Sequence, residues 1–368
     1  MAKNKIKLGL IFGGRSGEHE VSLVSAWNIL HGLDRKKYDI CLIGIDKKGA
    51  WHFGKDEKFW IKPENPKVVK LNLKTPTVTI VRKRDDVFII DLVTGKNISK
   101  VDVFFPITHG TFGEDGCLQG MLEMMDVPFV GPGVLGSAVG MDKDVMKRLL
   151  RDAGLKVSKF HILRAGDDIA KKLPKIVRDL KFPIFVKPAS LGSSVGISKA
   201  ENKTQLLLAI ETAFKYDFKV IFEQTVIGRE IECSVLGNSD PIASIPGEIK
   251  LGKEFYSYAA KYVEAESATP VVRAELPNSI VKKIQKLAIE VFQTLECEGM
   301  GRVDFFLTEK NEIFVNEINT LPGFTSISMY PKMLEQSGIG YQDLLDRLIG
   351  LAFERKIKQQ KIKRDFKA

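Results

Sequence analysis

Acidic and amide side chains near the C-terminus recur at a spacing that suits a metal site. The segment GMGRVDFFLTEKNEIFVNEINTLPG predicts a β-hairpin whose turn is centred on Lys310–Asn311. That turn sets Asp304 opposite Glu317 and Arg302 opposite Asn319, and strand alternation places all four side chains on one face. Two carboxylates about 5 Å apart repel each other unless a cation lies between them. Mg²⁺ or Mn²⁺ with oxygen ligands, carrying phosphate, would supply that cation.

An exposed hairpin face with mixed charges, including Arg302, is the alternative interpretation. The turn at Gly323 follows directly, and a residue without a side chain leaves room for a ligand to approach. This turn favours a metal site at the two carboxylates, Asp304 and Glu317.

A glycine- and serine-rich loop in FVKPASLGSSVGISK could bind phosphate. The strand carries Lys187, and the loop that follows contains Gly192, Ser193, Ser194 and Gly196. Backbone N–H groups of such a loop can surround phosphate oxygens, and Lys187 would add a positive charge. The order differs from a Walker A motif, because the lysine precedes the glycines. Taken alone, the loop is more often an ordinary turn.

Two acids flank a short linker in FEQTVIGREIECSV. Glu223 ends one predicted strand and Glu230 enters the next, so both could accept hydrogen bonds from ribose hydroxyls. The linker 224–226 could offer backbone groups to an adenine edge. Solvated acids beside a turn explain the same pattern equally well.

Three further loops carry candidate groups. Glu18, at a helix start in GGRSGEHEVS, could hold a substrate ammonium, although acids there also complement the helix dipole. His109 and Glu114 follow a buried strand, where sites in α/β sheets usually form, with a structural histidine as the alternative. The tyrosines and the lysine of YSYAAKY could close over a reacting phosphate or be surface side chains; they are Tyr256, Tyr258, Lys261 and Tyr262.

The elements that must position these groups form three units. A strand, a helix and a strand begin a parallel sheet that the run VDVFFPI resumes, and residues 50–100 elaborate it. A small α+β unit follows, and the last unit combines strands with a helix whose apolar residues recur at helical spacing. The predicted domains are 1–132 for substrate binding, 133–222 for the central lobe and 223–368 for the lobe with the metal and substrate site.

Composition narrows the class of protein. The chain has 368 residues and 44% hydrophobic content, which is enough for a multi-lobed globular protein. It has no run of about eighteen apolar residues, so no membrane association is expected. The four cysteines show no metal-finger spacing and fit a reducing cytoplasm. The net charge of +10 lies partly in a basic tail from Arg355, for which a frayed, solvated helix end is expected, and no nucleic-acid-binding motif accompanies it.

In this order the motifs resemble those of D-alanine–D-alanine ligases of the ATP-grasp superfamily. The resemblance covers nearly the whole chain and rests on GGRSGEHEVSL, HGTFGEDGCLQGMLE, GMDKDVMKRLL, VKPASLGSSVGISK, FEQTVIGREIECSVLG, FYSYAAKY, GRVDFF and VNEINTLPGFTSISMYP. It implies an α/β (α+β) ATP-grasp fold, with an N-terminal parallel-sheet α/β domain and two α+β lobes that enclose ATP. Residues 50–100 match least.

The resemblance also implies residue roles. The predicted ATP contacts are Lys143, Lys187, Ser193, Ser194, Glu223, Gln224, Val226, Glu230 and Lys261. Two Mg²⁺ or Mn²⁺ ions would lie on Asp304, Glu317 and Asn319. Arg302 and the Gly323 N–H would stabilise the oxyanion, while Ser193 and Tyr262, linked to Glu18, would order the lid. The predicted D-alanine contacts are Glu18, His109, Arg302, Gly323 and Ser328.

The implied reaction joins two D-alanines through an acyl phosphate at the expense of ATP, for peptidoglycan synthesis, in a cytoplasmic homodimer. A D-alanine–D-lactate ligase is the nearest rival, but such enzymes usually lack a tyrosine at the position of Tyr262. The missing GxGxxG motif disfavours a NAD dehydrogenase. A non-catalytic nucleotide-binding protein is disfavoured, because a chain that had lost its activity should also have lost some of the functional residues. All of these are present: Lys187, Arg302, Asp304, Glu317 and Asn319.

Overall fold

The computed structural model describes residues 5–63, 65, 67–192, 195–251 and 268–363. Its N-terminal part alternates strand and helix and then continues in short strands. In chain order the elements are β1 (Ile6–Gly13), α1 (His19–Gly32), β2 (Tyr38–Ile45), β3 (Trp51–Gly54), β4 (Trp60–Ile61), β5 (Lys70–Leu71), β6 (Val78–Lys83), β7 (Asp86–Asp91), β8 (Asn97–Val101), β9 (Val103–Ile107) and α2 (Cys117–Met124).

The first sheet confirms the predicted parallel arrangement. Its strand order is β3-β2-β1-β9, and β1 pairs in parallel with both β2 and β9. Strand β3 adds an antiparallel edge. The elaboration predicted over residues 50–100 contains β4 paired with β5 and a separate three-stranded sheet of β6, β7 and β8. The carboxyl ends of β1 and β9 therefore lie side by side, which brings the loops that follow them together.

The central part is an antiparallel sheet covered by two helices. Its elements are α3 (Val134–Met141), α4 (Lys143–Asp152), β10 (Phe160–Arg164), α5 (Ile169–Leu180), β11 (Ile184–Pro188), β12 (Ser198–Ala200), α6 (Lys203–Phe214) and β13 (Lys219–Gln224). The strand order is β10-β13-β11-β12. Apolar residues on alternate positions of these strands, such as Val186 and Phe222, pack on α5 and α6. Alternation leaves Lys187 and Glu223 on the opposite face.

The last part is a larger antiparallel sheet with three helices. Its elements are β14 (Arg229–Gly237), β15 (Ile242–Ala243), β16 (Gly247–Leu251), β17 (Ala268–Val271), α7 (Asn278–Thr294), β18 (Gly299–Leu307), β19 (Ile313–Asn319), α8 (Met329–Gln336) and α9 (Tyr341–Gln360). The order is β17-β16-β14-β18-β19. Helix α7 covers one face with Ile284, Ala288 and Phe292, as its periodicity predicts. Among the described residues, no helix is both long and apolar enough to cross a membrane.

The β18–β19 hairpin has the predicted pairs but a different turn. Asp304 pairs with Glu317 and Arg302 with Asn319. Beyond Asp304 the register shifts, so that Leu307 pairs with Ile313 and the turn is centred on Lys310 alone. The prediction of the turn centre was therefore wrong by half a residue. A β-bulge restores the predicted register at the carboxylates, because it adds one residue to β19.

The prediction of a frayed, solvated tail was wrong at its first two residues, Arg355 and Lys356, whereas residues 360–363 are exposed as predicted. Arg355 is 4% exposed, and its guanidinium donates to the carbonyl oxygens of Phe129, at 2.7 Å, and Gly131. Lys356 pairs with Asp126 next to it. The C-terminal part of α9 is therefore anchored to the segment 126–131, which follows α2. Sequence could not show this, because the partners lie more than 220 positions away.

Arg355→Met should lower the free energy of unfolding by about 2–3 kcal/mol, because two buried carbonyl groups lose a charged donor. Urea denaturation at pH 7 measures this loss. Arg347→Met is the matched control on the same helix, since Arg347 pairs with Asp343 one turn away at the surface and should cost under about 1 kcal/mol. Equal losses in the two variants would contradict the anchoring role of Arg355.

Candidate active site

The face of the central sheet that α5 and α6 leave uncovered carries Lys187 and Glu223, and the charge of Glu317 on the last sheet acts on Lys187. We call the region between these two sheets the cleft. Helix α4 borders both. Lys143 Nζ lies 3.1 Å from Glu317 Oε2 on β19 and donates to Leu191 O, at 2.8 Å, where the Gly/Ser loop begins. Asp142 caps α4 by accepting from the N–H groups of Asp144 and Val145. The cap fixes the start of the helix, and Lys143 consequently points from it into the cleft.

Three buried charges form the floor of the cleft on the side of the central sheet. Lys187 Nζ lies 2.9 Å from Glu223 Oε2, and Lys147 Nζ lies 3.2 Å from Glu223 Oε1. Burial opposes the charge of Glu223, but the two lysines outweigh it and lower the pKa of Glu223 to about 2. Glu223 is 3% exposed, so it is a buried carboxylate rather than the solvated acid of the alternative interpretation.

Lys147 was missed by the sequence analysis. Its side chain is 1% exposed, and its Nζ also lies 3.2 Å from Ser158 Oγ. Burial lowers the pKa of Lys147, and Glu223 opposes that shift. The available signal was its position four residues after Lys143, which puts both lysines on the same face of a helix.

A second cluster lies on the opposite sheet. Arg302 makes a bidentate ion pair with Asp304, with both N–O distances 2.7 Å, and Arg302 Nε lies 3.4 Å from Glu232 Oε1. Burial opposes the charge of Arg302, but the carboxylates of Asp304 and Glu232 outweigh it and raise the pKa of the guanidinium. The sequence analysis also missed Glu232. The run REIEC could have indicated it, because strand alternation places Glu232 on the same face as Glu230.

The carboxylates predicted to bind metal already have basic partners. Asp304 is paired with Arg302, and Glu317 with Lys143. Repulsion between Asp304 and Glu317 therefore does not by itself require a metal ion. Within the described ranges, no three Asp, Glu, His or Cys side chains converge as a metal-binding group. The oxygen donors of Asp304, Glu317 and Asn319 still share one edge of the sheet, which fits a hard cation that completes its shell with phosphate oxygens. Metal binding stays a prediction.

Glu18 lies where the loop of His109 meets the start of the Gly/Ser loop. A Cβ atom added at Gly110 would lie 2.9 Å from Glu18 Oε2, and one added at Gly192 would lie 3.3 Å from it. Gly110 has φ +75°, a conformation that favours glycine. Glu18 is thus beside both the His109 loop and the start of the Gly/Ser loop. A side chain at Gly110 would be strained and would displace Glu18, whereas one at Gly192 would only be tightly packed against it.

His109 is buried and uses both ring nitrogens within the protein. Nδ1 lies 3.0 Å from Leu321 O and 3.4 Å from Glu114 Oε1, and Nε2 lies 3.0 Å from Ser25 Oγ. Burial alone would lower the pKa of His109, but its hydrogen bond to Glu114 and the charge of that residue raise it. The structural role that the sequence left open is therefore present, whereas the predicted contact with D-alanine is untested.

Gly323 and Ser328 lie together in the loop between β19 and α8. A Cβ atom at Gly323 would lie 2.8 Å from Ser328 Oγ, so a larger residue would push the serine aside. Ser328 Oγ also accepts from Thr325 N at 2.9 Å. The predicted oxyanion donor and the predicted contact of the second D-alanine are consequently neighbours.

The predicted adenosine contacts lie at the end of β13 and beyond it. The Gln224 side chain is exposed, and its backbone N–H donates to Lys159 O at 2.9 Å. Val226 is half-buried in the linker, and the charge of Glu230 contributes to the raised pKa of Lys187. Ser193, Ser194, Tyr256, Tyr258, Lys261 and Tyr262 lie outside the described residues.

Two antiparallel sheets that face each other across buried lysines and carboxylates, beside a parallel α/β domain, define an ATP-grasp enzyme. The family model described as D-ala D-ala ligase N-terminus matches residues 7–132, and the model for the D-ala D-ala ligase C-terminus matches residues 149–350. The chain belongs to the D-alanine–D-alanine ligase family.

Individual relatives agree with this assignment. A D-alanine–D-alanine ligase from Oceanobacillus iheyensis is 49% identical over 359 residues, which are 98% of each chain. The solved D-alanine–D-alanine ligase from Coxiella burnetii is 39% identical with a TM-score of 0.84, over 98% of this chain and 97% of the other. A D-Ala:D-Ser ligase from Enterococcus faecalis is 37% identical with a TM-score of 0.83, over 95% of this chain and 100% of the other.

Proposed function

We propose that this chain is an ATP-dependent ligase that joins two D-alanine molecules. The observation that carries the proposal is the pair of charged clusters across the cleft: Lys147, Glu223 and Lys187 on one side, Arg302 and Asp304 on the other. Such a cleft can hold the phosphates of ATP next to a carboxylate substrate. The name shared by the family and by its curated relatives supplies the substrate.

The reaction follows from charge. A carboxylate oxygen of the first D-alanine attacks the γ-phosphorus of ATP, and ADP leaves with the electrons of the broken P–O bond. Lys143 and Lys187, aided by Lys261, neutralise the phosphates. The uncharged amine of the second D-alanine then attacks the acyl phosphate. The amide forms, phosphate leaves and the amine loses a proton.

The remaining groups bind and orient the substrates. Glu18 holds the ammonium of the first D-alanine, and Ser328 binds the second D-alanine. Arg302 and the Gly323 N–H stabilise the tetrahedral oxyanion, a type of contact worth about 3–4 kcal/mol where one donor is removed. The adenosine and phosphates of ATP are bound by Ser193, Ser194, Glu223, Gln224, Val226 and Glu230. Closure by Ser193 and Tyr262 excludes water, which would otherwise hydrolyse the acyl phosphate.

Asp304, Glu317 and Asn319 would hold Mg²⁺ or Mn²⁺ when ATP binds. The metal would neutralise charge on the transferred phosphoryl group. Lys143 pairs with Glu317 and Arg302 with Asp304. These basic side chains thus compensate the charge of the two carboxylates independently of any cation.

Two properties extend the proposal beyond the active site. We infer a cytoplasmic homodimer that supplies D-alanyl-D-alanine to cell-wall synthesis. The nucleotide substrate and the thiols Cys41, Cys233 and Cys297, all buried and free, are consistent with that compartment.

The function is tested by phosphate release from ATP and Mg²⁺, with the product identified by mass. D-Alanine alone should give phosphate and D-alanyl-D-alanine, while L-alanine should give neither. Added D-lactate should leave D-alanyl-D-alanine as the main product, because YSYAAKY contains the tyrosine that D-lactate ligases usually lack. Added D-serine should do the same, because the curated relatives are named D-alanine–D-alanine ligases. A main product containing D-lactate or D-serine would replace the proposed second substrate. No phosphate release with D-alanine would remove the proposed activity.

A further inference from the structure

The loop 321–324, which contains Gly323, is held at both ends by one pair of side chains. His109 Nδ1 lies 3.0 Å from Leu321 O at the start of the loop. Ser25 Oγ accepts from Phe324 N, at 3.2 Å, at its end. His109 Nε2 and Ser25 Oγ are 3.0 Å apart, so the two side chains are also hydrogen-bonded to each other. Both side chains are buried, so water does not compete for these bonds.

Glu114 orients the imidazole ring of His109. His109 Nδ1 faces two acceptors, Leu321 O and Glu114 Oε1, and must therefore carry a proton. Glu114 Oε1 also accepts from Gly110 N at 3.1 Å, which holds the carboxylate in place. The imidazole ring can then neither rotate nor change the nitrogen that bonds to Leu321 without losing a buried hydrogen bond.

We propose that Ser25, His109 and Glu114 form a bracket that positions the Gly323 N–H for the oxyanion. The inference rests on the proposed function, because it needs Gly323 as the donor. The three side chains are positioning residues that act through the loop. This assigns His109 a role different from the substrate contact expected from the sequence.

The geometry explains why such a bracket is needed. Gly323 has no side chain of its own to anchor it, and an oxyanion donor contributes only when it is aimed correctly in advance. The bracket fixes the carbonyl of Leu321, two residues before Gly323, and the amide of Phe324 directly after it. Asn28 Nδ2 adds a bond to Phe324 O at 3.0 Å. Helix α1 thus holds the loop through Ser25 and Asn28, which lie three residues apart on one face.

Ser25→Ala tests the bracket. It should lower kcat for dipeptide formation roughly 10- to 100-fold, less than the loss expected from removing an oxyanion donor outright, and leave KM for ATP within about twofold. Ser22→Ala is the matched control, because Ser22 is a buried serine on the same helix that accepts from Gly13 N and donates to Ile107 O. It should lose similar stability and keep kcat within about twofold. An unchanged kcat in Ser25→Ala, or equal losses in both variants, would overturn the bracket.

Further measurements test the bracket if Ser25→Ala does not fold or if the protein catalyses a different reaction. Glu114→Gln keeps an acceptor for His109 and should retain more activity than Glu114→Ala. Asn28→Ala, at a half-buried position, should lower kcat a few-fold if Ser25→Ala does not fold. The ¹⁵N-glycine amide resonance of Gly323 should shift in Ser25→Ala and not in Ser22→Ala. Because that shift does not depend on turnover, its absence overturns the bracket, whereas a wild-type protein that makes no dipeptide overturns only the proposed function.

Discussion

Asp304→Asn should lower kcat for dipeptide formation roughly 1000-fold while the protein stays folded. The amide has the size of the carboxylate but not its charge, and a bound metal contributes several kcal/mol of charge stabilisation in phosphoryl transfer. Arg302 would keep Glu232 as an ion-pair partner, so its charge would not be left alone. Glu317→Gln should act in the same way and release Lys143. Phosphate release and unfolding in urea measure the two properties separately.

Asp346→Asn is the control for this prediction. Asp346 accepts hydrogen bonds from Tyr38 Oη and Lys37 Nζ, at 2.7 and 2.6 Å. Neither of these partners belongs to the proposed site. The variant should lose some stability and keep its kcat. Activity within about tenfold of wild type in both Asp304→Asn and Glu317→Gln would remove these carboxylates from the proposed metal site, and the ion pairs with Arg302 and Lys143 would then be their whole role.

Lys147→Met should lower the free energy of unfolding by about 3–5 kcal/mol at pH 7. Breaking a buried ion pair from one side leaves an incompletely compensated buried charge, here that of Glu223. Lys187 remains 2.9 Å from that carboxylate and limits the loss. KM for ATP should rise as well, because Glu223 would no longer be held from two sides. Urea denaturation and initial rates at varied ATP measure these effects.

Lys156→Met is the matched control for Lys147→Met. Lys156 pairs with Glu312 at 2.6 Å, but both side chains are about half exposed, so its loss should cost under about 1 kcal/mol. The pH dependence gives a second check. The pKa of Glu223 is lowered to about 2 from 4.5, so its stabilisation is present above pH 4.5 and is lost as the pH falls towards 2. In Lys147→Met the pKa of Glu223 should rise towards its unfolded value, so this loss of stability should be smaller and should be complete at a higher pH than in the wild type. Equal stability losses in the two lysine variants would contradict the role of Lys147.

The local features of this protein follow from its amino-acid sequence alone. Alternation along two strands joined by a short turn placed Arg302, Asp304, Glu317 and Asn319 on one face, and the structure has those pairs. Helical periodicity identified the buried face of α7. The ordered motifs identified the family, which the two family models confirm. Such patterns depend on neighbours within a few residues, so they can be followed along the chain.

Which charged side chains form ion pairs depends on how the sheets and helices pack together. Lys147 reaches Glu223, and Arg355 reaches the carbonyl of Gly131, across 76 and 224 positions. His109 reaches Leu321 across 212 positions. No periodicity links such partners, because they become neighbours only when separate sheets and helices pack together. Once buried, each charge or donor must find a partner or pay the cost of desolvation. Packing therefore makes the first two residues of a tail expected to be solvated into an anchor, and it places His109 against the loop that contains Gly323.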